Sequence, residues 1–212
     1  MSARATHQIS LLLFDEVELL DYAGPYEVFT TATRMHARQA GSAAEPLFKV
    51  CSVANRLGPV RARAGLQLQP DADFTSAPAP DLLIVPGGVV DGARADAATL
   101  AWIARTAAEA GLVASVCTGA FLLADAGVLP PGARCTTHWE DLADLRRAHP
   151  QLQVLDGPRW VWHAAPHRAP VCSSAGISAG IDMALHLVER LAGRPLAERT
   201  ARQMDYRWLS EA

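Results

Sequence analysis

The sequence has few cysteines, and no two of them are close enough to form a CxxC redox or metal motif. The four cysteines are Cys51, Cys117, Cys135 and Cys172. A chain of 212 residues, half of them hydrophobic, can bury a core that needs no disulfides. We therefore expect free thiols in a reducing compartment such as the cytoplasm, and no metal site.

Long apolar runs, an excess of one charge and nucleotide-binding motifs are also missing. No run approaches the roughly 18 apolar residues of a membrane span, and the apolar run near the N-terminus is too short for a signal peptide. The net charge of −3 gives no basic surface for nucleic acid. No GxGxxG or GxxxxGK occurs. We expect a small-molecule substrate, no nucleic-acid or membrane partner, and one domain over residues 1–212.

Strand-like and helix-like segments alternate along almost the whole chain. Strands are predicted at 7–14, 47–54, 80–88 and 112–117, and a strand pair around Gly65. Helices are predicted from Pro25 to residue 37, and then in the segments 96–111, 118–127, 138–150, 177–193 and 195–208, while 38–46 is interpreted as a flexible connection. Such alternation is typical of an α/β fold with a mostly parallel sheet, whose ligands bind at the carboxyl ends of the strands.

Cys117 follows one of these predicted strands directly and precedes a predicted helix. The unpaired N–H groups at the helix N-terminus favour an anion there, which is one route to a lowered thiol pKa and a reactive thiolate. The small residues Gly119 and Ala120 leave room for the sharp turn of a nucleophile elbow. The alternative is a buried structural thiol, which is the interpretation given to the other three cysteines.

Two further junctions are expected at the same edge of the sheet. Asp21 follows the first strand and its loop, just before the Pro25 helix, and is either a helix cap or a general acid or base. Gly87 and Gly88 follow a buried strand, either as a tight turn or as backbone donors to an oxyanion, with the Thr118 N–H as a second donor.

His138 and Gly176 are possible pocket residues. His138 lies at another strand-to-helix junction, so it either reaches the same edge or is stacked near Trp139 at the start of a helix. Gly176 belongs to a segment of small residues, 174–188, that either packs tightly or lines the pocket.

Four separate blocks, in this order, resemble the ThiJ/PfpI superfamily of class I glutamine amidotransferase-like proteins. They are LLLFDEVELLDYAGPYEVF, PDLLIVPGG, SVCTGAFLLADAGVLPPGARCTTHW (with an extra proline) and SSAGISAGIDMALHLVERLAG. The likeness covers nearly the whole chain and is nearest to isonitrile hydratases. The amidotransferase-like domains of AraC-type regulators share much of the pattern.

The resemblance implies a flavodoxin-like three-layer α/β sandwich, usually a homodimer, and hydration of isonitriles to N-substituted formamides without a cofactor. It implies that Cys117 is the nucleophile and forms a thioimidate, with Asp21 as general acid and base. It also implies that Thr118 is required and that Gly88, with Gly87 beside it, supplies the oxyanion hole. Because an isonitrile offers little to bind except its substituent, we expect a mainly apolar pocket.

Two departures narrow the function. Amidotransferases and PfpI-type peptidases have histidine directly after the nucleophile, whereas this chain has Thr118, which disfavours a Cys-His protease or glutaminase. The proline-rich segment 162–170 is longer than usual in the family.

A ligand-sensing domain remains an alternative, weakened because the chain ends at Ala212 without a helix-turn-helix domain. Glyoxalase-like or deglycase-like chemistry is a third hypothesis, disfavoured by Asp21 and Thr118.

Overall fold

The computed structural model describes residues 6–40 and 45–211, and for Ala40 the backbone only. The residues 41–44 of the predicted flexible connection, and the ends of the predicted domain, lie outside the described residues. The strands are β1 His7–Leu12, β2 Phe48–Ala54, β3 Val60–Arg61, β4 Gln67–Leu68, β5 Ala72–Asp73, β6 Leu82–Val85, β7 Leu112–Val116, β8 Arg134–Cys135, β9 Gln153–Val154, β10 Trp160–His163 and β11 Val171–Ser174. The helices are α1 Leu19–Ala40, α2 Asp91–Ala95, α3 Ala97–Glu109, α4 Gly119–Asp125, α5 Leu142–Ala148, α6 Ala179–Ala192 and α7 Arg194–Gln203, with a 3₁₀ turn at Trp139–Asp141.

Seven strands form one central sheet in the order β10-β11-β7-β6-β1-β2-β5. Every neighbouring pair is parallel except β10 with β11, so the prediction of a mostly parallel sheet is confirmed. Helix α1 packs with α6 and α7, while α2, α3 and α4 pack together, and the two groups flank the sheet. The central strands β6 and β7 are buried along their whole length, which explains why their sequences are continuously apolar rather than alternating.

Several element boundaries differ from the sequence prediction. Helix α1 begins at Leu19, six residues before Pro25, so Pro25 lies inside the helix and Asp21 lies in its first turn. A proline at this position removes the backbone hydrogen bond to the Asp21 carbonyl. Leu19, Tyr22 and Ala23 pack against the core, and this burial stabilises the first turn despite the proline. Helix α7 ends at Gln203 rather than at residue 208.

Two local predictions hold. Strands β3 and β4 pair antiparallel on either side of Gly65, as the alternation there predicts. The small residues at the start of α6 allow a close approach, because a Cβ on Gly180 would lie 2.8 Å from Cγ1 of Val116 in β7. Helix α6 therefore packs directly against β7, the strand that precedes Cys117. Among the described residues, no helix has the length and apolar character needed to cross a membrane.

Candidate active site

Cys117 sits in the turn between β7 and α4 with a backbone φ of 57°. A positive φ is unusual for a residue with a side chain, and such strain is concentrated at functional sites. The turn is held in place because the Cys117 N–H donates to Ser174 O at 3.1 Å and its carbonyl accepts from Thr137 Oγ1 at 2.8 Å. Cys117 thus occupies a strained strand-to-helix elbow at the carboxyl end of a central strand.

Gly119 is the residue that permits this elbow. A Cβ at this position would lie 2.9 Å from the carbonyl oxygen of Pro86 and would overlap the carbonyl oxygen of Val85. Both obstacles are backbone atoms of the neighbouring chain segment, so they cannot move aside as a side chain would. The absence of a side chain at 119 is therefore a requirement of the local packing.

Asp21 lies beside Cys117 and is completely buried in the first turn of α1. Its Oδ2 accepts a hydrogen bond from the Gly87 N–H at 3.2 Å, whereas Oδ1 has no hydrogen-bond partner among the described residues. A buried carboxyl with an unsatisfied oxygen is costly, and sites of this kind are often functional. The structure gives no support for the capping interpretation, because the oxygen that is bonded binds Gly87 of another segment.

Gly87 lies against Asp21 and Thr118, Gly88 is bonded to Thr118, and neither glycine has room for a side chain. A Cβ on Gly87 would lie 2.6 Å from both the nitrogen and the hydroxyl of Thr118. Gly88 has a φ of 141°, and its nitrogen and carbonyl oxygen each lie 2.9 Å from Thr118 Oγ1. The Gly88 N–H therefore points to the Thr118 hydroxyl in this state rather than being free for an oxyanion.

The electrostatics of the Asp21–Cys117 pair differ from the sequence expectation. Burial raises the pKa of Asp21 to about 7, although the Cys117 thiol and the Gly87 N–H both favour the carboxylate. Burial also raises the pKa of Cys117, and the charge of Asp21 adds to this, against a smaller opposing effect of the Thr118 N–H. The expected lowering of the thiol pKa by the helix N-terminus is thus wrong, because desolvation and a neighbouring carboxylate outweigh the end of a seven-residue helix. The resting pair is a thiol beside an ionisable carboxyl.

A pocket of about 220 Å³ opens onto Cys117 and Thr118. Its other lining residues are Glu18, Arg63, Gly88, Val89, His138, Glu140, Asp141 and Ile177. The expectation of a mainly apolar lining is wrong, since four acidic or basic side chains and one histidine line the space. Among the described residues, no group of three His, Cys, Asp or Glu side chains is arranged as metal ligands would be.

The two possible pocket residues, His138 and Gly176, are in contact with each other. A Cβ on Gly176 would overlap the His138 ring and lie 3.1 Å from its Nε2. The His138 Nδ1 lies 3.5 Å from Asp141 Oδ2 and 3.7 Å from Glu140 Oε2. His138 therefore lines the pocket, whereas Gly176 packs against the His138 ring and is not itself a lining residue.

Sequence reasoning missed the charged residues of the pocket. Glu18 precedes α1, Arg63 lies in the loop between β3 and β4, and Glu140 and Asp141 belong to the 3₁₀ turn after His138. The one available signal in the sequence is the acidic pair Glu140-Asp141, two residues after His138, and the sequence alone indicates this pair only as part of a helix start. The three other cysteines lie outside the lining of this pocket.

Comparison with known proteins agrees with the resemblance read from the sequence. The model of the DJ-1/PfpI family matches residues 7–190. Isonitrile hydratase of Pseudomonas putida is 37% identical over 204 residues, which cover 94% of this chain and 78% of that protein. A THiJ/PfpI family protein from Pseudomonas syringae has a similar crystal structure, with a TM-score of 0.80 and 30% identity over 96% of this chain and 76% of the other.

A regulator is also among the relatives. The HTH-type transcriptional regulator GbdR of Pseudomonas aeruginosa is 30% identical over 209 residues, which cover 96% of this chain and 52% of the regulator. The chain thus spans about half the length of this relative. The flavodoxin-like fold and the superfamily assignment made from the sequence are confirmed by these likenesses.

Proposed function

The chain belongs to the DJ-1/PfpI family, and we propose that it is a cofactor-independent isonitrile hydratase with Cys117 as its nucleophile. The observation that carries the proposal is the buried Asp21 carboxyl beside the Cys117 thiol, with a pKa of about 7. A group with a pKa near neutrality can take up and release a proton within one reaction cycle. The likeness to an isonitrile hydratase supports the choice of substrate.

In the first half of the reaction, Cys117 adds to the isonitrile. The Asp21 carboxylate takes the thiol proton, and the sulfur forms a bond to the terminal carbon of R–N≡C. Asp21 then gives the proton to that same carbon, which yields the thioimidate R–N=CH–S–Cys117 and restores the carboxylate. The raised pKa of the thiol fits this order, because the proton leaves only when the substrate is in place.

In the second half, water releases the product. Asp21 removes a proton from a water molecule whose oxygen adds to the thioimidate carbon, and it then delivers this proton to the nitrogen, which restores the Asp21 carboxylate. The C–S bond then breaks, the hydroxyl proton passes through Asp21 to the sulfur, and the formamide R–NH–CHO leaves. The unpartnered Oδ1 of Asp21 is the oxygen we assign to this water.

Thr118 and Gly88 orient the substrate and stabilise the charge that develops on it. At rest the Thr118 hydroxyl holds both polar backbone atoms of Gly88. Turning this hydroxyl toward the substrate would free the Gly88 N–H at the same time, so both donors would become available together.

The test is hydration of a simple alkyl isocyanide, with formamide followed by NMR. We expect turnover by the wild type and by Cys51→Ala, a half-buried thiol outside the pocket, and none by Cys117→Ala. No formamide from wild type with several isocyanides would contradict the function. Full activity of Cys117→Ala would contradict the mechanism while leaving the function intact.

A ligand-sensing role is the second candidate, favoured by the identity with GbdR over 96% of the chain. In that case the same pocket would bind a small molecule without converting it. Saturable binding of a ligand that stays chemically unchanged, together with no isocyanide turnover, would favour this role.

The remaining assignments are part of the same proposal. We propose one domain, a homodimer as is usual for the family, and a reducing compartment such as the cytoplasm. The four cysteines of the described chain are free, which is compatible with a reducing environment. Sedimentation equilibrium would measure the oligomeric state.

A further inference from the structure

The charges that line the Cys117 pocket are unequal in number. Three carboxylates and one guanidinium face the space, those of Glu18, Glu140, Asp141 and Arg63. The side chains of Glu18 and Asp141 are 26% and 35% exposed and that of Glu140 is 64% exposed, so the net negative pocket attracts positive ligands through a field that solvent partly screens.

The single arginine is already paired. Arg63 NH1 lies 3.6 Å from Glu18 Oε2, so the charge of Glu18 offsets that of Arg63 at short range. Among the described residues, Glu140 and Asp141 have no arginine or lysine within ion-pair distance. Both contact His138 Nδ1 instead, at 3.7 and 3.5 Å. Arg63 acts on Asp141 only as a weaker, more distant charge.

A second observation concerns Asp21, which lies behind Cys117 and outside the lining of the pocket. Asp21 is completely buried next to Cys117, and its Oδ1 has no hydrogen-bond partner among the described residues. One oxygen of the Asp21 carboxyl therefore lacks a donor, while the other accepts from the Gly87 N–H. Whatever binds against Cys117 places its substituent in a small space that contains the Glu140 and Asp141 carboxylates.

We propose that this pocket selects isonitriles whose substituent carries a permanent positive charge close to the isonitrile group, such as trimethylammonioethyl isocyanide. The inference rests on the proposed function and names its substrate class. A substituent of this size fits a pocket of about 220 Å³. A quaternary ammonium needs no hydrogen bonds, so Glu140 and Asp141 stabilise it through charge alone, with Val89 and Ile177 as apolar contacts.

The test compares trimethylammonioethyl isocyanide with its uncharged isostere, in which carbon replaces the quaternary nitrogen. We expect kcat/KM to be about tenfold higher for the cation at low salt, with the ratio falling as ionic strength rises. Glu140→Gln and Asp141→Asn should each lower this ratio about threefold, and the double variant should bring it near one. Glu109→Gln, the same substitution outside the lining, should leave the ratio unchanged.

A kcat/KM ratio of cation to neutral isostere of one or below in wild type would overturn the inference, and so would a preference for a carboxylate-bearing isocyanide. In either case, hydration of the neutral isostere would still support the proposed function. If no isocyanide is hydrated, a binding measurement still tests the preference of the pocket for a positive charge. Calorimetry of Cys117→Ala with the two corresponding N-substituted formamides should show about tenfold tighter binding of the cation. Equal binding would overturn the inference independently of turnover.

Discussion

The hydroxyl oxygen of Thr118 lies 2.9 Å from the nitrogen of Gly88 and 2.9 Å from its carbonyl oxygen. A hydroxyl accepts and donates at the same time, so one side chain satisfies both polar atoms of the glycine. This contact joins the first residue after Cys117 to the turn after β6. In the sequence, Thr118 is notable mainly because amidotransferases and PfpI-type peptidases resembling this chain have histidine at that position. In the structure, Thr118 has a specific partner, Gly88.

Thr118→Val, which keeps the shape and removes the hydroxyl, should lower kcat/KM about ten- to a hundredfold. The reason is that the substrate loses the hydroxyl as a donor and the turn after β6 loses its link to the elbow, each worth about 1 kcal/mol. Thr118→Ser keeps the hydroxyl and should retain most activity. The measurement is the initial rate of formamide formation for the three proteins. Equal rates for Thr118→Val and wild type would show that the Thr118 hydroxyl has no part in the reaction.

Asp21→Asn should abolish hydration and yet stabilise the fold at neutral and higher pH. The folded pKa of about 7 lies above the value of 3.8 for an unperturbed aspartate, so the folded protein holds this proton more tightly. Wild-type stability therefore falls as pH rises from about 4 to 7, by at most roughly 4 kcal/mol. Asparagine carries no charge to bury and avoids this loss.

Urea denaturation at pH 5 and pH 8 measures this effect. The midpoint of Asp21→Asn should exceed that of wild type at pH 8 by more than it does at pH 5. A variant that is less stable than wild type at pH 8 would mean that the Asp21 carboxylate contributes more through its contacts than its burial costs.

The sequence predicted the position of Cys117 but not its ionisation. A strand followed by small residues and a helix is a local pattern, so Cys117, Thr118 and Gly119 could be placed without tertiary information. The pKa values of Asp21 and Cys117 depend on burial beneath several elements, which one segment does not encode. The same holds for the pocket charges, because Arg63 and Asp141 come from distant segments. Local pattern alone also predicts the start of α1 at Pro25, whereas the helix begins at Leu19, because the packing of Leu19 and Tyr22 outweighs the local cost of Pro25.

The rate of hydration should fall as pH decreases through about 7. The mechanism requires Asp21 as a carboxylate when it takes the thiol proton, and protonation of Asp21 below its pKa of about 7 removes that base. Asp21 and Cys117 titrate as a coupled pair, so the apparent pKa of this fall in rate belongs to the pair and not to one residue. A profile of kcat/KM from pH 5 to 9 measures it. A rate that is flat across pH 7 would contradict the role of Asp21 as the base.

The thiol itself should react slowly with iodoacetamide at pH 7, because burial and the Asp21 charge raise its pKa. Asp21→Asn removes the charge and should accelerate alkylation of Cys117 several-fold at pH 8, although it abolishes hydration. Mass spectrometry of the Cys117 peptide against time gives the rate. Slower alkylation in the variant would show that the carboxyl activates the thiol even toward a simple electrophile.

Gly119→Ala should damage the elbow, and Gly92→Ala provides the matched control. A Cβ at 119 would lie 2.9 Å from the Pro86 carbonyl and would overlap that of Val85, whereas at 92 nothing lies within 4 Å. We expect Gly119→Ala to cost about 2–3 kcal/mol of stability and most of the activity, because backbone must move and Cys117 moves with it. Gly92 lies in helix α2, where alanine is the better helix former, so that variant should be unchanged or slightly more stable. The urea midpoints and the rates of formamide formation of both variants test whether the elbow needs a glycine at position 119. Equal behaviour would mean that the elbow tolerates a side chain at 119, and that the strained φ of Cys117 is maintained by its hydrogen bonds to Ser174 and Thr137 rather than by the close approach of Gly119.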